Sequence, residues 1–149
     1  MKTSVLAGIS AVLLSGWCNL AAAQSKPEKT DTTSAYSELG KAPSKYRTKP
    51  NPMAREKDAV AAGKVLFEEH CAECHGETAL GTKKAPNLRA NEVQEAPAGS
   101  IFWVLTNGIV RKGMPVWSKL PEPQRWQLVT FIKSLGTVED GEKKADAKP

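Results

Sequence analysis

The chain has 149 residues with 21 basic and 16 acidic side chains, a formal net charge of +5, and 40% apolar residues. That balance suits one small soluble domain. Neither the apolar run near the start nor any later stretch is long enough to cross a bilayer, and so modest a charge is a poor basis for binding nucleic acid.

Met1-Lys2 is a short positive start, Ser4 to Trp17 is mostly small and apolar, and Ala21-Ala22-Ala23 offers small residues before Gln24. This is the three-part form of a secretory signal peptide, predicted to cover residues 1–23 and to be cleaved after Ala23. Cys18 leaves with it, since bulky Trp17 stands where cleavage before a lipidated cysteine needs a small residue. The expected mature chain then holds two cysteines and a net charge of +4, because Lys2 is the leader's one charged residue. Residues 24–54 are rich in Pro, Lys and Ser with no apolar period, and read as a flexible segment whose lone aromatics are Tyr36 and Tyr46.

A first helix is predicted from about Asp58, a good N-cap, towards Cys71. Val60, Gly63, Phe67, Cys71 and Cys74 recur at steps of three or four and share one face. Glycine inside a helix costs roughly 1 kcal/mol, which implies that another helix passes close to Gly63. The helix leads into Cys71-Ala72-Glu73-Cys74-His75. Two thiols a turn apart can each bond one vinyl-derived carbon of a haem, and an imidazole directly after the second reaches the iron. The same residues admit a redox dithiol, a structural disulfide or half of a zinc site. A dithiol of that type goes with a βαβ pattern, which is missing, and a zinc site draws on a second distant pair of ligands. With three Cys and two His in all, the chain has no such second pair.

A second helix is predicted over about Gly99 to Thr106, closing at Gly108, with Ile101, Phe102, Val104 and Leu105 apolar on nearly all sides. Next comes Gly113-Met114-Pro115-Val116-Trp117, in which Gly113 permits a turn and Pro115 stiffens it, so that Met114 can be presented on a short loop. A thioether there would complete the iron coordination and favour the ferrous state, although a methionine also serves as a core gap-filler. Met1 goes with the leader, Met53 lies in a Pro-rich stretch, and His70 neighbours Cys71 on the wrong side of the iron. A third helix follows Pro121-Glu122-Pro123 and is predicted to end at Gly136, with Leu128, Phe131, Ile132 and Leu135 as its buried stripe. Trp126 lies off that stripe, at an edge or towards a partner. Residues 137–149 form a charged run read as a disordered tail. With no hairpin signal and no repeat, the domain at 55–136 is read as all-α.

From about Asp58 to Gly136 the chain resembles the small class I c-type cytochromes in their bacterial exported form. Gly63, Phe67, the pentapeptide with Gly76, Pro86-Asn87-Leu88, Gly113-Met114-Pro115, and Leu128 and Phe131 carry the likeness. The resemblance implies a cytochrome c-like fold of about three to four helices wrapped around one covalently bound haem. It implies that the first and last helices cross at Gly63, and that the Nδ1–H of His75 donates to the carbonyl of Pro86. Ala85 departs from it, standing where the family usually has glycine.

The expected site is therefore Cys71 and Cys74 holding one haem c, with His75 and Met114 on the iron. Both axial positions filled leave no place for a substrate, so the expectation is an electron carrier and no enzyme. It would be a periplasmic or otherwise exported monomer that cycles Fe(III)/Fe(II) between redox donors and acceptors such as a periplasmic dehydrogenase and a terminal oxidase. The alternatives are a haem subunit of a dehydrogenase or oxidase complex, and a haem-based ligand-binding sensor with a labile Met114. Lys83, Lys84, Arg111, Lys112 and Lys119 flank Pro86 and Met114 and form either a steering rim for an acidic partner or an ordinary solvated surface.

Overall fold

A computed structural model describes residues 32–145; the predicted leader, residues 24–31 and the last four residues of the predicted tail lie outside them. Along the chain run α1 (Thr32–Gly40), α2 (Ser44–Arg47), α3 (Lys57–His70), the single-turn α4 (Ala72–His75), α5 (Asn91–Gln94), α6 (Ala98–Asn107), a 3₁₀ turn at Val110–Lys112 and α7 (Glu122–Ala145). Among the described residues extended pairing is confined to an isolated bridge between Ile109 and Met114. The all-α reading holds. Asp58 lies in the first turn of α3, just inside a cap that falls on Glu56 and not on Asp58 itself.

The fold rests on α3 lying along α7. Gly63 makes this approach possible: a Cβ there would run into the carbonyl oxygen of Gln127 and come within 2.8 Å of the Phe131 Cβ. One turn on, the rings of Phe67 and Phe131 meet at 5.3 Å. The predicted stripe of α7, from Leu128 to Leu135, is buried throughout.

Trp126 is not at an edge. It is 2% exposed and its ring stacks on Phe102 of α6 at 4.1 Å, so α7 is buried on two sides, against α3 and against α6. What covers the second side is the segment predicted to be flexible. The described part of it, residues 32–54, forms α1 and α2 and packs on α5 and α6. Tyr36 is buried and donates to the carbonyl of Asn87 at 2.8 Å. Tyr46 and Lys49 turn their carbonyls onto Gly99, where any side chain would collide with the Tyr46 oxygen. The Lys49 ammonium sits 5.1 Å from the Phe102 ring centre and 5.5 Å from that of Trp126, and bonds Glu122 at 2.8 Å. Asn51 donates to Thr130 of α7 at 2.9 Å. The segment has few apolar groups to bury, but it covers aromatic faces that α6 and α7 would otherwise expose to water.

The third helix also outruns its predicted end. Gly136 lies inside α7, which continues to Ala145. Its missing side chain admits Gln94, whose amide packs there while donating to the carbonyls of Leu88 at 2.7 Å and Ile132 at 3.0 Å. A glycine in this place serves close packing rather than termination.

Candidate functional site

The pentapeptide sits at a break between two helices. Cys71 ends α3 and starts α4, with a φ of −122° that interrupts the helical run. Backbone bonds from Cys74 and His75 to the Cys71 carbonyl, at 3.1 and 2.9 Å, wind the next turn tightly. The two thiols thus project from one turn, with His75 at its end, and neither is in a disulfide. Burial, with a smaller contribution from the neighbouring Cys74, pushes the Cys71 thiol up to about 11, so it is protonated at neutral pH.

His75 Nδ1 lies 2.9 Å from the carbonyl oxygen of Pro86. A carbonyl can only accept, so Nδ1 carries the hydrogen and Nε2 keeps its lone pair. Burial lowers the imidazole pKa against the smaller opposing effect of the Pro86 bond, and favours the neutral form that can ligate a metal. A loop folded back on α4 delivers the Pro86 carbonyl: Gly81 donates to His75 O at 2.8 Å, Thr82 Oγ1 to Cys74 O at 2.6 Å, and Thr82 N to Ala85 O at 2.9 Å. Ala85 fits without strain because Gly81 makes the close approach. With φ at +84°, its Cα faces the backbone nitrogen of Asn87, which a Cβ would meet at 2.6 Å.

Met114 reaches the same region on a tight loop. Gly108 and Gly113 take φ values of +66° and +87° at its two corners. Ile109 and Met114 exchange backbone bonds of 3.0 and 3.3 Å, and Trp117 N donates to Leu105 O at 3.0 Å. Any side chain at Gly108 would press on the Pro115 carbonyl, so this glycine allows the loop to close.

Cys71, Cys74, His75 and Met114, the four residues expected from the sequence, all line one cavity of about 450 Å³. The rest of its lining is mainly apolar, with Leu88, Val93, Ile101, Leu105 and Ile109 among the residues that form it. Among the described residues no group of three His, Cys, Asp or Glu is placed to hold a metal ion directly. His70 also lines the cavity, with its ring 5.3 Å from that of Trp117.

The sequence reading missed the α1 contribution. Tyr36, Glu38 and Leu39 line the cavity, and Glu38 is buried and accepts hydrogen bonds from Lys41 at 2.7 Å and from Arg111. A single acidic residue in a polar stretch carries no spacing that would have marked it. The basic rim is also less bare than its residues suggest, since Lys84 lies 3.3 Å from Glu73 and Arg111 is paired with Glu38.

Residues 58–132 match the family model described as cytochrome c oxidase, cbb3-type, subunit III. Similar curated proteins include the cbb3-type cytochrome c oxidase subunit CcoP of Azospirillum sp. (strain B510), 34% identical over an alignment of 96 residues, gaps included, that covers 58% of this chain and 32% of that protein. Subunit FixP of Sinorhizobium medicae (strain WSM419) is 32% identical over 115 residues, 74% of this chain and 36% of that protein. The chain thus spans about a third of the length of these relatives. Among solved structures, cytochrome cL of the marine methylotroph Methylophaga aminisulfidivorans aligns with a TM-score of 0.52 at 24% identity, over 83% of this chain and 85% of that one, and shares the fold.

Proposed function

The chain belongs to the cbb3-type cytochrome c oxidase subunit III family of c-type cytochrome domains, and from that premise we propose that it is the electron-transfer haem subunit of an exported oxidase-type complex. The relatives bear the name of oxidase subunits, which favours this reading over the diffusible monomeric carrier expected first.

The residues fit one haem c. Two free thiols on one turn, a neutral imidazole with its Nε2 lone pair available, a thioether and a largely apolar lining meet in a single cavity. In this reading Cys71 and Cys74 would hold the macrocycle through thioether bonds, and His75 Nε2 and Met114 Sδ would ligate the iron. When bound, the haem supplies a reversible one-electron Fe(III)/Fe(II) couple. The chain supplies the rest. Pro86 fixes the imidazole ring and strengthens it as a ligand. The apolar walls exclude water, and the paired glycines keep the thioether on a short loop. An iron held by both His75 and Met114 would have no place for a substrate, so the domain would carry electrons rather than catalyse. The haem-binding unit takes residues 55–136, with 32–54 fastened to it as an arm. Attachment of this kind fits an exported protein, in line with the predicted leader. Among the described residues no helix is long and apolar enough to cross a membrane.

The observation that carries the proposal is His75, oriented by Pro86, in one cavity with both thiols and Met114. Two measurements test it. Protein exported in a host competent for haem attachment should keep haem on a denaturing gel, and should show a sulfur-to-ferric-iron band that vanishes in Met114→Ala. Prompt binding of carbon monoxide by the unaltered ferrous protein would sink the ligand assignment and favour a sensor. In the native host, the tagged chain should migrate with an oxidase on a native haem-stained gel; migration as a small free species would return the diffusible carrier.

A further inference from the structure

One helix touches both sides of the cavity. At the start of its described side chains, Tyr36 donates to the carbonyl of Asn87, the residue after the Pro86 that orients His75. Half a turn further on, Glu38 reaches Arg111 in the 3₁₀ turn that leads through Gly113 into Met114. A buried carboxylate is rare unless paired, and the ε-oxygen of Glu38 has two cationic donors. The two differ in what they restrain. Lys41 lies on the chain just after α1 and ties the acid only to its own surroundings. Arg111 belongs to the tip of the Met114 loop, 73 residues away, and its side chain is otherwise two-thirds exposed. An exposed pair would restrain little, but here one partner is shielded from water and sits in the cavity wall.

The Met114 loop needs such a restraint. Its backbone is closed at the base by the two bonds of the Ile109–Met114 bridge and by the contact of Gly108 with Pro115, and its tip is wound into a turn by Lys112 N donating to Ile109 O at 2.8 Å and Gly113 N to Val110 O at 3.0 Å. All of these contacts lie within the loop itself. The tip, Val110–Lys112, is swung outward, with Val110 68% exposed. Arg111 turns back from it to α1.

We propose that Glu38 is a positioning residue for the Met114 loop, holding the tip through Arg111 so that the thioether stays in the cavity. The role rests on the assignment of Met114 as an axial ligand. Glu38 itself touches no iron ligand in this scheme; it restricts the loop's excursions, and so the escape of the sulfur. The arm that seemed a flexible leader extension is then part of the site. It closes the cavity on the His75 side with Tyr36 and on the Met114 side with Glu38.

The test uses the haem-loaded full chain. Imidazole is titrated into the ferric protein while the sulfur-to-iron band is followed, and the denaturation midpoint is measured alongside. Glu38→Ala and Arg111→Ala should each bind imidazole about tenfold more tightly, within the range expected for coupling between residues in contact. The double variant should gain no more than either single one. Glu38→Gln keeps the shape and an acceptor oxygen and should fall between them and the parent; it carries the same readout should the alanine variant fail to fold. A lowered midpoint with unchanged imidazole affinity would overturn the proposal and leave Glu38 a structural residue, as would full additivity in the double variant. Met114→Ala keeps the two readings apart: if its band and imidazole affinity match the parent's, the ligand assignment falls first and this role falls with it.

Discussion

The two walls of the cavity are built by different means. The wall with Cys71, Cys74 and His75 is one helical turn, wound by bonds to its own neighbours and backed by a loop that begins at Gly76 and returns the Pro86 carbonyl within eleven residues. The wall with Met114 is a loop with positive-φ glycines at 108 and 113, and beyond the bonds within the loop its tip is tied through Arg111 to Glu38 of α1, more than seventy residues upstream. Short-range bonds form wherever the chain takes the right local shape, whereas long-range ones exist only when the whole domain is assembled. The Met114 wall should therefore open first under stress and the His75 wall last.

The sharpest way to break this comparison is to remove one ligand from each wall. His75→Ala should cut haem incorporation to near background, read as haem stain per unit of protein, because the wall loses its oriented imidazole. Met114→Ala should keep the covalent haem and lose only the sulfur band. Equal loss in both would mean that the walls are equally needed to build the site, contrary to their construction.

Next in size are the two helix crossings that support the walls. Trp126 lies between α7 and α6, and α6 leads into the Met114 loop. Truncating it to alanine should cost about 3–5 kcal/mol, measured by denaturant unfolding, as for other buried aromatics. Amide exchange should quicken at Ile109 and Met114 more than at His75. Gly63→Ala acts on the other crossing, where α3, which leads into Cys71, meets α7. Alanine is the better helix former by about 1 kcal/mol, but its methyl would meet a backbone carbonyl that cannot step aside. The net cost should be about 1–3 kcal/mol, as for other overpacked sites, with a fall in Tm of several degrees. Here the protection lost should be at Cys74 and His75. The reverse pattern in either variant would show that the crossings do not serve separate walls.

The same division explains what could be read from the sequence. The His75 wall was legible almost whole, because its evidence is spacing: Cys71, Cys74 and His75 in five residues, and Gly63 and Phe67 at helical steps before them. Met114 was legible from Gly113 and Pro115 beside it. The bounds of α6 and the buried stripe of α7 followed from apolar periodicity. The arm did not, since Tyr36, Glu38, Tyr46 and Lys49 have no period; their partners Asn87, Arg111, Gly99 and Phe102 lie far along the chain. Trp126 was misplaced for the same reason, its cover being supplied from that arm and from α6. Gly136 misled because glycine marks a helix end and a close contact equally well, and only Gln94 opposite it decides between them.

The smallest effect expected is one of pH, and of the two walls it bears on the Met114 one. The Glu38 carboxyl is held below its ordinary value of 4.5, first by the hydrogen bond from Lys41 and then by that from Arg111. A carboxylate whose pKa is depressed by folding adds stability above its unfolded value, and loses that contribution as the pH falls through the folded one. The contribution should thus be intact at about pH 6 and fade progressively below about 4.5. Glu38→Gln cannot titrate, so between pH 5 and 3 its Tm should fall less than the parent's, even though it starts lower. The parent should lose exchange protection at Met114 earlier on acidification than at His75, and the variant should narrow that gap. Parallel acid limbs in the two proteins would place the acid sensitivity elsewhere and leave the Arg111 tether without a part in the stability of this wall.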